Sequence, residues 1–284
     1  MADELTVGNP KEWGPFAERN KLLLERLPNL TRALNEILNR KWTSEESIDL
    51  YIFIAGHMAI DDFMEIMTLA ANSESYGAEK ILRPMFERVV TLKYLFANPK
   101  EYDKFRNYYW VTKHKLSNAI ETTFLKGLIP KKELTEIKEH YDKVKGDYKM
   151  TLCETCKTTR PGIAWTPVDM VAMARTVGMG AQLVPDYYIP LDQCHPNVKA
   201  MLDRIEIRDG RIVLKERLDR TAADHVLRAA HILALQALEV QVKHFKLDTA
   251  VYDTAEKDLI EIWKIPSPEE AEKLLKGVQE ANEG

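Results

Sequence analysis

Apolar positions recur at helical spacing along most of this chain. Between Ala78 and Pro99 they fall at Ala78, Ile81, Leu82, Met85, Phe86, Val89, Leu92 and Phe96. Steps of three and four put them on one face of an α-helix. Pro84 lies well past the first turn of that helix. There it removes a backbone donor and crowds the carbonyl four residues back, so the pattern predicts a kink. The preceding stretch, to about Asn72, is apolar on almost every side: Ile48, Ile52, Phe53, Ile54, Met58, Ile60, Phe63, Ile66 and Met67. Such a pattern predicts the central helix of a bundle. A capping box, Thr43-Ser44-Glu45-Glu46, is expected to open it.

The other elements follow the same logic. Trp13–Leu27 and Leu30–Asn39 read as one helical region broken at Pro28. Pro99 opens a helix to about Leu125, and Pro130 starts a highly charged outer one. Thr151 to Thr166, with Cys153, Cys156, Pro161 and Gly162, reads as an ordered loop. Trp165-Thr166-Pro167 predicts a helix start, with Thr166 as cap and Pro167 in first position, ending near Gly178 and Gly180. Asp186-Tyr187-Tyr188 leads to a dense polar turn, Asp192 to Asn197, and a short helix to Leu202. Arg204–Lys215 alternates apolar and charged residues about Asp209-Gly210, the one clear strand signal and a type I′ hairpin. Asp219 or Thr221 caps a long helix to about Phe245, and two short helices follow, the last from Ser267-Pro268. The expected fold is all-α, a multi-helix bundle with a small β-hairpin insertion at about 204–215. Its expected divisions are a helical extension over 1–42, a core over 43–250, and C-terminal helices over 251–284 packing on the core.

Composition narrows the class. The chain has 284 residues, 45% of them hydrophobic, enough for a sizeable core. A formal charge of -4 argues against a general nucleic-acid coat. Three cysteines, no signal peptide at MADELTVGNP, and no apolar run near the ~20 residues that span a bilayer lead to the expectation of a cytoplasmic protein with no membrane partner. Helices apolar on all sides need more cover than one bundle supplies, so a homodimer is expected.

The chemistry centres on three residues. Arg83 and Glu87 sit four apart on the flank of the organising helix and can pair. His195 precedes Pro196, which disfavours helical geometry at the histidine and suits a helix-start turn. A half-buried Glu87 needs further donors, and an imidazole N–H can supply one, so the three residues are expected to meet. As catalytic residues, His195 would be the acid/base, Glu87 its orienting carboxylate and Arg83 an anion clamp. The same pocket would equally serve a non-catalytic module binding a small anionic ligand or a protein partner. In a purely structural arrangement, His195 caps a helix start and pairs with Glu87.

The run LRPMFERVVTLKYL resembles bacterial proteins grouped as domain of unknown function 5677. So do Trp165 before a helix with Ala174 and Gly178, then Tyr188 and the His-Pro-Asn turn. The likeness extends roughly from Ile48 to Leu238. It implies an all-helical fold with no established reaction, and that Arg83, Glu87 and His195 come together. Trp165, Tyr188, Asp192 and Asn197 are the ligand contacts expected around them. Asp192 stands where the family would have a serine, so no role for a hydroxyl is carried over.

Other motifs were weighed. Arg220-x4-His225 fits the Arg-x4–6-His signature of the helical HEPN ribonucleases. The likeness implies that Arg220 steadies phosphate and His225 serves in cleavage, although Asp219 and Asp224 beside them would repel a phosphate. It extends the enzymatic expectation to a metal-independent, nuclease-like defence or stress factor acting on a phosphate-containing substrate such as RNA. His57, Asp61 and Glu65 form a stripe on the central helix, for which buried hydrogen bonding is favoured over metal because the chain contains no Glu-x-x-His. Cys153-x-x-Cys156 with adjacent Cys194-His195 is a poor tetrahedral zinc set, and no metal or cofactor is expected. Tyr108, Tyr109 and Trp110 beside Arg106, Lys113 and His114 could stack bases, but core packing is favoured.

Overall fold

The computed structural model describes residues 8–39, 48–151, 159–161, 164–195, 198–215, 219–266 and Glu270. The expected capping box at Thr43–Glu46, the Cys153–Cys156 pair, Asn197 and the Ser267-Pro268 helix start lie outside them.

The fold is an all-α bundle. Its helices are α1 (Pro10–Arg19), α2 (Lys21–Leu38), α3 (Ile48–Ala71), α4 (Ser75–Ala97), α5 (Tyr102–Glu121) and α6 (Lys131–Val144). After these come α7 (Met170–Thr176), a π-helical turn (Leu183–Tyr188), α8 (Ile189–Cys194) and α9 (Val198–Leu202), then α10 (Arg220–Phe245) and α11 (Ala250–Trp263). Strands β1 (Lys149–Thr151) and β2 (Thr159–Pro161) pair antiparallel, as do β3 (Ile205–Arg208) and β4 (Arg211–Leu214).

Helices α3, α4 and α10 pack against one another at the centre, and α2 lies with α11 on the flank of α10. Phe63, Ile52 and Ile66 of α3 meet Leu82, Met85 and Phe86 of α4 and Leu227 and Leu233 of α10 in one buried cluster. Each large side chain so buried contributes about 1.5–3 kcal/mol. The Gln241 amide crosses from α10 to donate to the Ile52 carbonyl, passing where a Cβ on Gly56 would stand. Glycine is therefore what lets α3 and α10 approach. α3 is central but not covered all round, since Ile54, Met58 and Met64 are exposed. Among the described residues no helix is long and apolar enough to cross a membrane.

Several local expectations are corrected. The N-terminal break falls at Asn20, not at Pro28, which lies inside α2 on its exposed side. At Asn20 the side chain donates instead to Phe16 O at 3.2 Å and to Asp224 Oδ1 at 3.0 Å, competing with the helix. α4, where a kink is expected at Pro84, is one helix from Ser75 to Ala97 with the proline on its exposed side. α7 starts at Met170 rather than after Thr166. The Asp169 carboxylate accepts from Ala172 N at 2.7 Å, whereas the Thr166 hydroxyl closes a turn to Val168 N at 3.2 Å. Residues 192–194 belong to α8, not to a turn. The β1–β2 pair was not anticipated, because three-residue strands are too short to display alternation. The Asp209-Gly210 turn has φ of 50° and 72°, as a type I′ turn requires.

Of two further candidate clusters, the first is accounted for by packing and the second is largely exposed. Trp110 stacks on His140 at 4.0 Å, His114 stacks on Tyr141 at 3.8 Å, and Lys113 pairs with Glu133 at 3.1 Å. The aromatic strip is the α5–α6 interface. The His57 stripe is not buried: Asp61 and Glu65 are exposed, and His57 lies edge-on to Phe53 at 4.6 Å.

Candidate functional site

α4 presents polar groups to two separate places. The first is the expected one. Arg83 Nε donates to Glu87 Oε1 at 3.0 Å and Arg83 Nη2 to the Tyr187 hydroxyl at 3.4 Å, with the guanidinium carbon 4.6 Å from the Tyr187 ring centroid. Arg83 therefore ties α4 to the π-helical turn. Tyr187 was missed by the sequence reading, which chose its neighbour Tyr188; Tyr188 is exposed and packs edge-on against Tyr187 at 5.3 Å.

α8 packs on α4 and brings the His195 segment to the same helix. Burial pushes the Cys194 thiol up, Arg83 opposes that shift, and Glu87 adds to it, so the end of α8 lies in the field of the Arg83–Glu87 pair. His195 is extended (φ -124°, ψ 145°), as a residue before proline should be. It is exposed and lines an open groove with Lys80, Asp192, Cys194 and Arg204. Arg83 and Glu87 are not among the groove's walls. Asp192 pairs with Lys199 at 2.8 Å. Trp165 is set apart from the groove, wedged between Tyr94 and Phe105 with ring centroids 6.0 and 5.2 Å away.

Arg220 and His225 do not act as a pair. Arg220 makes a two-pronged ion pair with Glu12, at 2.6 and 2.7 Å. Hydrogen bonds from Arg220 and then Ser73 hold the Glu12 carboxyl down at about 2. His225 instead stands at the rim of the second place, exposed to solvent.

That second place is a cavity of about 540 Å³ between α4, the π-helical turn, α8 and α10. Leu82, Pro185, Ile189, Val226, Ala229 and Ile232 give it apolar walls. Into these walls are set Glu79, Gln182, Asp186, His225, Arg228 and Gln236. Asp186 is only 3% exposed. Burial pushes its carboxyl up to about 6, with a hydrogen bond from Gln182 and the charge of Arg228 opposing the shift. Glu79 is pushed up to about 7, first by burial and then by Asp219, while Lys199 opposes the shift and Asp203 and Asp192 add to it.

A short relay leads to Asp186. Gln236 Nε2 donates to Gln182 Oε1 at 3.0 Å, and Gln182 Nε2 donates to Asp186 Oδ2 at 3.1 Å. Gln236 Oε1 is buried without a hydrogen-bond partner among the described residues. The π-helical turn carries both Asp186, which lines the cavity, and the next residue, Tyr187, which meets Arg83. Single π turns within helical segments are concentrated at functional sites. Neither Glu79 nor Asp186 is among the site residues expected from the sequence, where Asp186 only opens the segment before the polar turn. The available signal was a lone carboxylate inside the apolar run LVPDYYIP.

A model described as "Family of unknown function (DUF5677)" matches residues 58–212, more than half of the chain. The matched span includes Glu79, Asp186 and the Arg83–Glu87 pair, and stops short of α10. No curated protein and no solved structure matches.

Proposed function

The chain belongs to the family of unknown function DUF5677, and from that premise we propose that it is a small-molecule-binding protein whose ligand seats in the α4–α10 cavity. The observation that carries this reading is Asp186. It is 3% exposed in the wall of a 540 Å³ cavity, and only one of its oxygens receives a hydrogen bond among the described residues. An apolar cavity with a few convergent polar groups and shifted carboxyls is what a ligand site requires. Arg83, Glu87 and Tyr187 are the brace that fixes the turn carrying Asp186, and His195 marks the neighbouring groove.

The second reading is the nuclease-like hydrolase acting on a phosphate-containing substrate such as RNA. It is favoured by His225 standing at the cavity rim with Arg228 one turn further along α10. Against it, Arg220 is committed to Glu12 and two carboxylates line the cavity, where phosphate would be repelled.

The test is a thermal-shift and ligand-observed NMR screen of small amines, acids and alcohols, run on the wild type and on Ala229→Trp, which fills the cavity. Hits should stabilise the wild type and leave Ala229→Trp unmoved. Hits that stabilise both equally would place binding elsewhere.

The reading is completed by a cytoplasmic location, supported by the odd, low cysteine count. It also includes a homodimer, supported by exposed Ile54, Met58 and Met64 on α3. Light scattering at micromolar concentration that finds only monomer would remove the dimer.

A further inference from the structure

We infer that the cavity is built for an amphoteric amine: an ammonium group held by Asp186, Glu79 and Gln236, an acceptor such as a carboxylate held by Arg228, and an apolar frame between them. This deepens the ligand-binding reading and rests on it.

The cavity leaves several polar groups of its wall unsatisfied among the described residues. Asp186 Oδ2 accepts from Gln182, while Oδ1 has no hydrogen-bond partner among the described residues. Gln236 Oε1 is a buried acceptor with none. Glu79 makes no hydrogen bond or ion pair among the described residues, although it lines the same cavity. These three are acceptors, and two of them can carry negative charge. The relay from Gln236 through Gln182 runs toward Asp186 and uses one N–H of each amide in doing so.

A buried acceptor left unmade costs free energy, and so does an unpaired buried carboxylate. A ligand with several N–H donors and a positive charge removes both costs at once. On the other side, Arg228 has no carboxylate within ion-pair distance among the described residues, yet lines the cavity and lies in the field of Asp186. A guanidinium with free donors is suited to a planar acceptor. The remaining wall, including Leu82, Val226 and Ile232, asks for apolar bulk.

The charge surroundings agree. Glu79 is faced by Lys199 of α9, Asp192 of α8, Asp203, and Asp219 at the start of α10, with His225 and Arg228 on α10 lining the same cavity. Asp186 is faced by Gln182 and Arg228. Burial comes first in raising both carboxyls, and around Glu79 the charges of Asp219, Asp203 and Asp192 add to it, so both take up a proton more readily than free carboxylates when the cavity is empty. An ammonium would displace those protons. Binding should therefore release protons below about pH 7 and tighten as pH rises from 5 to 8.

The experiment is titration calorimetry on the full chain with four probes on each of two frames: phenylalanine, phenethylamine, 3-phenylpropanoate and 2-phenylethanol, and the matching leucine series. The amino acid should bind tightest and the amine second, with the acid and the alcohol at least tenfold weaker. Asp186→Asn should weaken both amine-bearing probes about tenfold. Arg228→Gln should weaken the amino acid about tenfold and leave the simple amine unchanged, and Gln236→Met provides a second variant on the ammonium side. Acids or alcohols binding as well as amines, with Ala229→Trp abolishing them, would overturn the amine assignment while the cavity reading stands. No binding by any probe would overturn both.

Discussion

Arg83 and Glu79 leave the same helix one turn apart and meet opposite surroundings. Arg83 finds Glu87 at 3.0 Å and the Tyr187 hydroxyl at 3.4 Å, with the Tyr187 ring beneath it. Glu79 finds a cavity, apolar walls and other acids. On the first side charge is matched and the groups hold two elements together. On the second side Asp186 accepts one hydrogen bond, from Gln182, Glu79 makes none among the described residues, and both carboxyls stand well above their ordinary values. Satisfied pairs consume their hydrogen-bonding capacity in fixing the fold. Unsatisfied groups around empty volume keep theirs for something else. The polar constellation most visible in the sequence is thus the brace, and the less visible one is the candidate site.

The comparison can be broken most sharply at the brace. Arg83→Met should destabilise the protein by about 2–3 kcal/mol, because Glu87 and the Tyr187 hydroxyl lose their donor in a half-buried setting. Chemical denaturation would measure it. A loss below about 0.5 kcal/mol would show that Arg83 is not structural.

The opposite sign is expected across the helix. Asp186 has a folded value of about 6 against an ordinary 3.8. A raised carboxyl favours the native state below its unfolded value, and that advantage is lost as pH climbs through the folded one. The wild type should therefore lose stability from about pH 4 to 6 through Asp186, and from about 4.5 to 7 through Glu79. Asp186→Asn removes the first loss and should stabilise the protein at pH 8 by on the order of 2 kcal/mol. Denaturation midpoints at pH 4 and pH 8 would check both the sign and the window.

The smallest effect sharpens the division between neighbours. Tyr187→Phe removes one long hydrogen bond and keeps the ring under Arg83, so it should cost about 0.5 kcal/mol and leave ligand binding at the cavity intact. A marked loss of binding would mean that the two places are not separate.

Much of the bundle is legible in the residue pattern, because α3, α4, α10 and the β3–β4 hairpin are long or strongly periodic. The Arg83–Glu87 pair is legible for the same reason: its partners are four residues apart on one helix. The cavity is not. Glu79 and Asp186 come from elements more than a hundred residues apart, and their burial depends on how α10 covers the π-helical turn. Tyr188 is expected near the site only because the family resemblance includes it, and nothing in the local pattern points to Tyr187, whose partner Arg83 lies 104 positions away. Pro28 and Pro84 were read as disruptions because the pattern does not say which face meets solvent, and both rings do. Arg220 looked free to hold phosphate because Glu12, its partner, lies 208 positions away.

The cavity wall holds Asp186 with one accepted hydrogen bond and Glu79 with none among the described residues, which leaves both carboxyls capacity for a charged ligand. Carbon-detected NMR titration of the Asp186 and Glu79 side-chain carboxyls tests it directly. The account predicts midpoints near 6 and 7 in the free protein, both moving down when the amine-bearing probe of the calorimetric panel is bound. Midpoints at the ordinary values near 3.8 and 4.5 in the free protein would contradict it.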